Sequence, residues 1–445
     1  MAFASALSAL TDSERAVRAA AESCAAQLAA RGARCDLAVL WFSSHHVEQA
    51  ATMSAALRQI LGPTHALGIS GESVISGAQE LERTPGVSVL AASLPGVRLA
   101  AFTSDAFPPL DADEPEHVAV LSGGIGAASD TAATLIFADP FSIPVLQMIP
   151  AFNRARRRSQ AGAAAGVLVG GLASAARAPG GNALFVDDRV RRFGAVGVTL
   201  SGPLRVDTIV SQGCRAVGEP LVITRARNNL ILQLAGRPAR DVMREVVSEM
   251  SPPDRGALSG GLFVGRVINE YKERFGRNDF LIRSVVGEDP ASGAIAVADF
   301  VRVGQTVQFH VRDADTASQD LSLLLDAQRL HDPPAGAMLV TCNGRGTRLF
   351  SKGHHDAGAI SRAFTPLGAG EQLAKPGSMI ASEPVPGAPV PGAGFALGGF
   401  FAAGEIGPVG SAPGSESYLH ANTACVTLFR PGLPTPPAGT SNRPE

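Results

Sequence analysis

The chain has 445 residues, 45% of them hydrophobic and 18% charged, with 38 Lys and Arg against 40 Asp and Glu. So apolar a composition excludes a disordered protein, and at roughly 150 residues per domain the length predicts two large domains or three smaller ones. The near-zero balance offers nucleic acid no basic field, and one Trp with two Tyr offers no base-stacking platform.

Residues 1–34 are expected to be an amphipathic N-terminal helix. Thr11-x-x-Glu14 has the form of a capping box, Val17, Ala21, Cys24 and Leu28 fall on one face, and Gly32 stops it. Residues 36–42 (DLAVLWF) are a continuous apolar run, expected as a strand covered on both faces. A helical pattern through Val47, Ala51, Leu57 and Ile60 and a second strand over 65–70 complete a βαβ unit with a parallel pair. Segments 87–94 and 97–102, joined at Pro95-Gly96, have the form of an antiparallel hairpin. Strands near 133–138, 165–169, 183–186 and 195–200 extend a mixed sheet.

The basic run Arg154-x-Arg156-Arg157-Arg158 closes an apolar helical stretch, where cations suit the helix dipole, and is expected on a solvated face. The texture changes near 226–232. A helix over 239–250 follows, then strands at 280–286, 294–303 and 306–311, a helix entered at Thr316-x-x-Gln319, and a strand at 337–341. The Pro/Gly-rich residues 373–394 are expected to be a surface loop, and 431–445 a disordered tail. The whole is expected to be mixed α/β, two related modules whose sheets are flanked by helices.

Five scattered cysteines (Cys24, Cys35, Cys214, Cys342, Cys425) without a CxxC pair fit reduced thiols in the cytoplasm. Charges near the N-terminus exclude a signal peptide there, and the uncharged stretches 159–176 and 384–404 are too rich in Gly, Ala or Pro for spanning helices. No metal site is expected: in His45-His46 and His354-His355-Asp356 adjacent side chains diverge and cannot easily chelate one ion. Phosphate-loop, dinucleotide, HExxH and GxSxG motifs are absent, so no enzyme is expected.

Three segments carry polar chemistry at Gly-rich strand ends. Gly71-Glu72-x4-Gly77 is echoed by Gly404-Glu405-x4-Gly410, and each places a carboxylate where the backbone closely approaches a ligand. Cys342-Asn343-Gly344-Arg345-Gly346 offers open amides, a guanidinium fork and a thiol. Gly213-Cys214-Arg215 repeats that pattern. Arg345, Arg215 and the glycine amides are expected to hold a ligand carboxylate, and Glu405 and Glu72 an ammonium. A thiol-dependent enzyme using Cys342 or Cys214 is the alternative.

Taken in order, these segments resemble the FIST (F-box and intracellular signal transduction) family. Gly68-Ile69-Ser70-Gly71-Glu72, Val169-Gly170-Gly171-Leu172-Ala173-Ser174 and Ser211-Gln212-Gly213-Cys214-Arg215 look like its N-terminal module, here 35–228. Phe280-Leu281-Ile282-Arg283, Cys342–Gly346 and Gly399-Phe400-Phe401-Ala402-Ala403-Gly404-Glu405 look like its C-terminal module, here 229–430. Two departures stand out: the Gly68–Glu72 element lacks the usual Cys after its first Gly, and Ala216 stands where a Pro is common. The resemblance implies a sensory protein that binds an amino acid or related small molecule. Some relatives are haem-binding nitric-oxide sensors, so haem is a possible cofactor, and none is otherwise expected. With both modules filling the chain, the expected output is a separate signalling partner, a kinase or cyclase, with no nucleic acid or membrane involved.

Overall fold

The computed structural model describes residues 1–159, 166–276, 279–365, 394–409 and 414–432. The chain builds one unit three times: strand, helix, strand, helix, strand, hairpin, strand. The first copy is β1 (Ala2–Ser8), α1 (Ser13–Ala29), β2 (Leu37–Ser43), α2 (Ala50–Leu61), β3 (His65–Gly71), the hairpin β4 (Ser73–Ser76) with β5 (Gln79–Glu82), and β6 (Val87–Ser93). The second is β7 (Arg98–Thr103), α3 (Pro115–Gly124), β8 (Thr131–Ala138), α4 (Val145–Arg158), β9 (Val167–Leu172), the hairpin β10 (Leu184–Val186) with β11 (Arg189–Arg191), and β12 (Ala195–Ser201).

The third copy opens with β13 (Leu204–Gln212) and is interrupted by an insertion. The inserted elements are β14 (Cys214–Arg227), β15 (Leu230–Leu234), β16 (Arg237–Pro238), α5 (Ala239–Glu249), α6 (Pro252–Ala257), β17 (Leu262–Val267), β18 (Phe280–Asp289), β19 (Ala294–Val297) and β20 (Thr306–Arg312). The unit then resumes with α7 (Ala314–Gln328), β21 (Gly336–Cys342), α8 (His355–Phe364), β22 (Leu397–Ala402), the hairpin β23 (Glu405–Pro408) with β24 (Ser417–His420), and β25 (Thr423–Pro431). The insertion closes into an antiparallel barrel, β14-β20-β17-β18-β19-β15 and back to β14.

Each unit forms a six-stranded sheet around one parallel pair: β2 with β3, β8 with β9, β21 with β22. The hairpin is the exception. Hairpin β4–β5 pairs with β22, β10–β11 with β3, and β23–β24 with β9. Every sheet is therefore completed by a hairpin from another unit, in a closed cycle. The Gly-Glu echo is the backbone bend at which two of these hairpins leave their own sheet. A Cβ at Gly71 would lie 3.0 Å from the Phe400 ring and 3.2 Å from the Phe401 carbonyl oxygen, so the bend packs tightly against the neighbouring sheet.

The outer face of each sheet is covered by its own helix pair, α1 and α2, α3 and α4, or α7 and α8. The inner faces share one core, in which Trp41, Phe137 and Phe400 form a chain of edge-to-face contacts at 6.4 and 5.9 Å. A cavity of about 10 Å³ lies there among Phe3, Leu90, Leu135, Leu200, Met338 and Phe429, the room of about one water and lined only by apolar side chains.

The mixed α/β class and most strands follow the sequence reading, with these corrections. Residues 2–8 are a strand, not part of the first helix, and its cap is Asp12, which accepts from the Arg15 amide at 2.8 Å. The segments around Pro95-Gly96 are not a hairpin: β6 lies between β1 and β2, with both edges filled, so the turn hands the chain to the next sheet, where β7 pairs with β12. The texture change at 226–232 coincides with the turn between β14 and β15 inside the barrel. Arg156 is buried rather than solvated. Pro431 closes β25, whereas 373–393 and 433–445 lie outside the described residues.

Because Phe400 is fully buried where the three sheets meet, Phe400→Ala is expected to cost about 3–5 kcal/mol. Urea denaturation checks this, and a loss below about 1 kcal/mol contradicts the shared core.

Candidate functional site

In sheets with parallel strands, ligands bind beyond the carboxyl ends of those strands. At that end of β21 and β22 the chain gathers its unusual polar residues. Cys342 ends β21 and Asn343 to Arg345 follow it, Gly404 and Glu405 follow β22, Asn422 precedes β25 and Thr423 opens it, and Gly213 joins β13 to the barrel. Main-chain bonds tie these turns together: the Asn343 amide donates to Ala402 at 3.0 Å and the Gly213 amide to Asn422 at 3.1 Å.

Arg345 is 1% exposed, and a guanidinium stays charged wherever it is placed. Asp356 meets it bidentately, with Nε to Oδ2 at 2.7 Å and Nη2 to Oδ1 at 2.8 Å. Burial alone would raise the Asp356 carboxyl, but the Arg345 charge and hydrogen bonds hold it well below the usual carboxylate range. Asp356 also accepts from His355, whose other ring nitrogen bonds Ser318 Oγ at 2.8 Å. Among the described residues Arg345 Nη1 has no partner.

Glu405 is fully buried. Its Oε2 accepts from Thr423, from the hydroxyl at 2.7 Å and the amide at 3.2 Å, while Oε1 has no partner among the described residues. Burial pushes its carboxyl up to about 8, although Thr423 and the Arg345 charge act the other way. The site at neutral pH therefore holds a compensated ion pair and a protonated Glu405. Asn343 Oδ1 is likewise buried and unpartnered. Burial, then the charge of Glu405, pushes the Cys342 thiol up to about 12, and burial does the same to Cys214 despite Arg312.

Of the residues expected in a site, the structure brings together Gly213, Cys214, Cys342, Asn343, Gly344, Arg345, Gly346, Gly404 and Glu405. Two glycines make room for guanidinium groups: a Cβ at Gly213 would lie 3.1 Å from Arg345 Nη1, and one at Gly344 would lie 2.5 Å from Arg312 Nη2. Arg215 is elsewhere, on the barrel, ion-paired with Asp254 and, at 3.2 Å, with Asp313. It offers no free fork for a ligand carboxylate. Gly71 serves the bend, and Glu72 is held by Arg348 at 2.6 and 2.8 Å. Arg348 also donates to the Asn343 carbonyl at 2.8 Å, so Glu72 sits at the rim and not inside.

Sequence reasoning missed Asp356, Thr423 and Glu80. Glu80, on the exchanged hairpin, caps α8 by accepting from the Ala357 amide at 2.9 Å, and burial followed by the Asp356 charge raises it to about 7. Asp356 stood in view beside His354-His355, but only its separation of eleven residues from Arg345 and a turn in α8's approach make them partners. Among the described residues the equivalent ends in the other units hold no such orphaned charges. Asp139 after β8 is satisfied by Asn182 and Ser142 at 2.9 and 2.6 Å, and Ser43, the last residue of β2, accepts from the Gly86 amide at 3.0 Å.

Four of the described imidazoles, the ones at or near the core, are engaged by neighbouring groups. His420 Nε2 bonds the Gly407 carbonyl at 2.9 Å, His310 packs on Phe280 at 5.0 Å, His355 is stacked on Phe350 at 3.5 Å, and His46 is enclosed beneath α1 with Ser13 at 2.9 Å.

Glu405 yields a pH test. Its pKa is raised on folding from an ordinary 4.5 to about 8, so between those values the folded state holds the extra proton and stability falls as pH rises. Glu405→Gln is expected to remove that dependence, so that its stability relative to the native chain improves from pH 5 to about 8.5. A constant difference across that range refutes the buried, protonated carboxyl.

Among the described residues no helix is long and apolar enough to cross a membrane. The sequence matches the FIST N domain over residues 36–237 and the FIST C domain over 239–408. An uncharacterised protein of Mycobacterium tuberculosis is 36% identical over 420 residues, 93% of this chain and 96% of its own length. An uncharacterised protein of Mycobacterium bovis is 36% identical over 395 residues, 88% of this chain and 90% of its own. With both domain families covering most of its length in order, the chain belongs to the FIST family, whose domains are linked to sensing in signal transduction.

Proposed function

We propose that this protein is a cytoplasmic receptor for a small zwitterion, an α-amino acid or a close relative, that signals through a separate partner. One observation carries the reading: a buried guanidinium nitrogen without an acceptor, Arg345 Nη1, lies in the same polar cluster as two buried acceptors without donors, Glu405 Oε1 and Asn343 Oδ1. Buried polar groups are costly unless paired, so an open cationic donor beside open carboxyl and amide oxygens favours a ligand that carries both an anionic acceptor and a cationic donor. The ligand carboxylate goes to Nη1. The ammonium goes to Oε1 and Oδ1, and Glu405 gives up its proton on binding, since an adjacent cation favours the carboxylate. The raised thiols of Cys342 and Cys214 support this reading over a thiol-dependent enzyme, because thiolate is the nucleophile.

Thermal-shift measurements against the common amino acids test the proposal. At least one is expected to raise Tm, and both Glu405→Gln and Gly213→Ala, which crowds Nη1 without removing a charge, are expected to abolish that rise. No stabilising amino acid, or a rise unchanged in both variants, overturns it. Iodoacetamide at pH 7 separates the enzyme reading: slow labelling of Cys342 and Cys214 in the folded protein is expected, and rapid labelling of either restores it.

A further inference from the structure

Helix α4 ends in Arg154-Ala155-Arg156-Arg157-Arg158, and these arginines have different fates. Arg154 pairs with Asp113 at 3.1 Å, Arg157 pairs with Glu416, and Arg158 is exposed. Arg156 is 1% exposed and has no carboxylate partner. Its Nη2 donates to Asn153 Oδ1 at 2.7 Å, whereas Nε and Nη1 have no acceptor among the described residues. Those two nitrogens lie on different edges of the guanidinium plane, so both edges keep open donors.

Asn153 links this cation to the exchanged hairpin. The same Oδ1 accepts from the Ser417 amide at 3.2 Å, and Asn153 Nδ2 donates to the Ser417 carbonyl at 2.8 Å. Arg156 and Ser417 therefore share one acceptor, and the Ser417 hydroxyl is itself buried without a partner. Glu416, the acid whose charge reaches Arg156, is already engaged by Arg157 and, at 3.1 Å, by Tyr418. Burial, then the charge of Arg157, lowers the Arg156 pKa to about 10, so the group is still a cation at neutral pH. A buried cation that keeps its charge calls for an anion, and the described residues supply none that is free.

We propose that Arg156 and Ser417 form a site for a small oxyanion, phosphate or a carboxylate, in the seam between α4 of the second unit and hairpin β23–β24 of the third. The oxyanion takes one open guanidinium edge and the Ser417 hydroxyl together, the geometry in which Arg recognises such groups. The site shares no residue with the cluster around Arg345 and stands whether or not that cluster binds a zwitterion. It does touch the same hairpin, because β23 begins at Glu405. An anion that clamps the hairpin onto β9 thereby steadies the strand carrying that carboxyl.

Thermal unfolding in sodium phosphate against sodium chloride at matched ionic strength reads the site, with sodium acetate as the carboxylate arm. Phosphate, acetate or both are expected to raise Tm by about 3 °C at concentrations well above Kd. Arg156→Met is expected to abolish the rise, Ser417→Ala to reduce it, and Gly213→Ala, in the other cluster, to keep it. The phosphorus NMR line of inorganic phosphate, broadened by the native protein and sharp with Ser417→Ala, gives the same answer if Arg156→Met does not fold. Equal Tm in all three salts, or a rise that persists in Arg156→Met, overturns the proposal.

Discussion

A guanidinium cannot shed its proton in a protein, so burying Arg345 obliges the fold to deliver a carboxylate to it. Asp356 does so from the first turn of α8, and its bidentate grip decides the rest of the site. The grip occupies Nε and Nη2, leaves Nη1 open, and fixes that nitrogen beside Gly213, where a Cβ would press against it at 3.1 Å. Removing one member of such a pair costs about 3–5 kcal/mol, since the other is left as an uncompensated buried charge. The pair is thus a scaffold for the open nitrogen as much as a source of stability.

The closed cycle of hairpins explains why this corner is so well enclosed. Each sheet lacks an edge of its own, and the borrowed hairpin both covers that edge and brings side chains from a distant part of the sequence. Glu80 and Glu82 reach α8 and Thr347 from the first unit's hairpin, while Glu405 is carried to β9 by the third unit's hairpin. A sheet completed in trans ties the stability of each unit to the others. The three units keep the same architecture, but among the described residues only the third places an unpaired donor and unpaired acceptors together at the end of its parallel strands. The barrel is rooted at that same place: Gly213 at its entry and Arg312 at its exit both contact the site's turns, the latter through the Gly344 carbonyl at 3.1 Å.

Local patterns carried most of the elements. Apolar runs such as 36–42 and 65–70 have no polar alternation because both their faces are covered, by helices outside and by the common core within, and that much is written in residue order. Gly62 at φ +55 ends α2 as its position implied. The site glycines and the Cys342–Arg345 turn were equally visible, since open amides and small residues at a strand end are local features. Partners were not. Arg215 and Arg345 occupy similar Gly-Cys-Arg and Cys-Asn-Gly-Arg contexts, yet one is held outside by Asp254 and Asp313 and the other is buried with Asp356.

Sequence alone therefore determined the α/β class, the family, the strand ends at which polar groups collect and the residue types available there. Tertiary structure alone decided that β6 and β7 belong to different sheets, that hairpins pass between units, and that Arg345, Glu405 and Thr423 meet while Arg215 and Glu72 do not. The reason is physical. Propensity and periodicity act over a few residues, whereas desolvation and ion pairing depend on which distant segments share a volume, and here that is settled by strands pairing across more than three hundred positions, as Val74 does with Phe400.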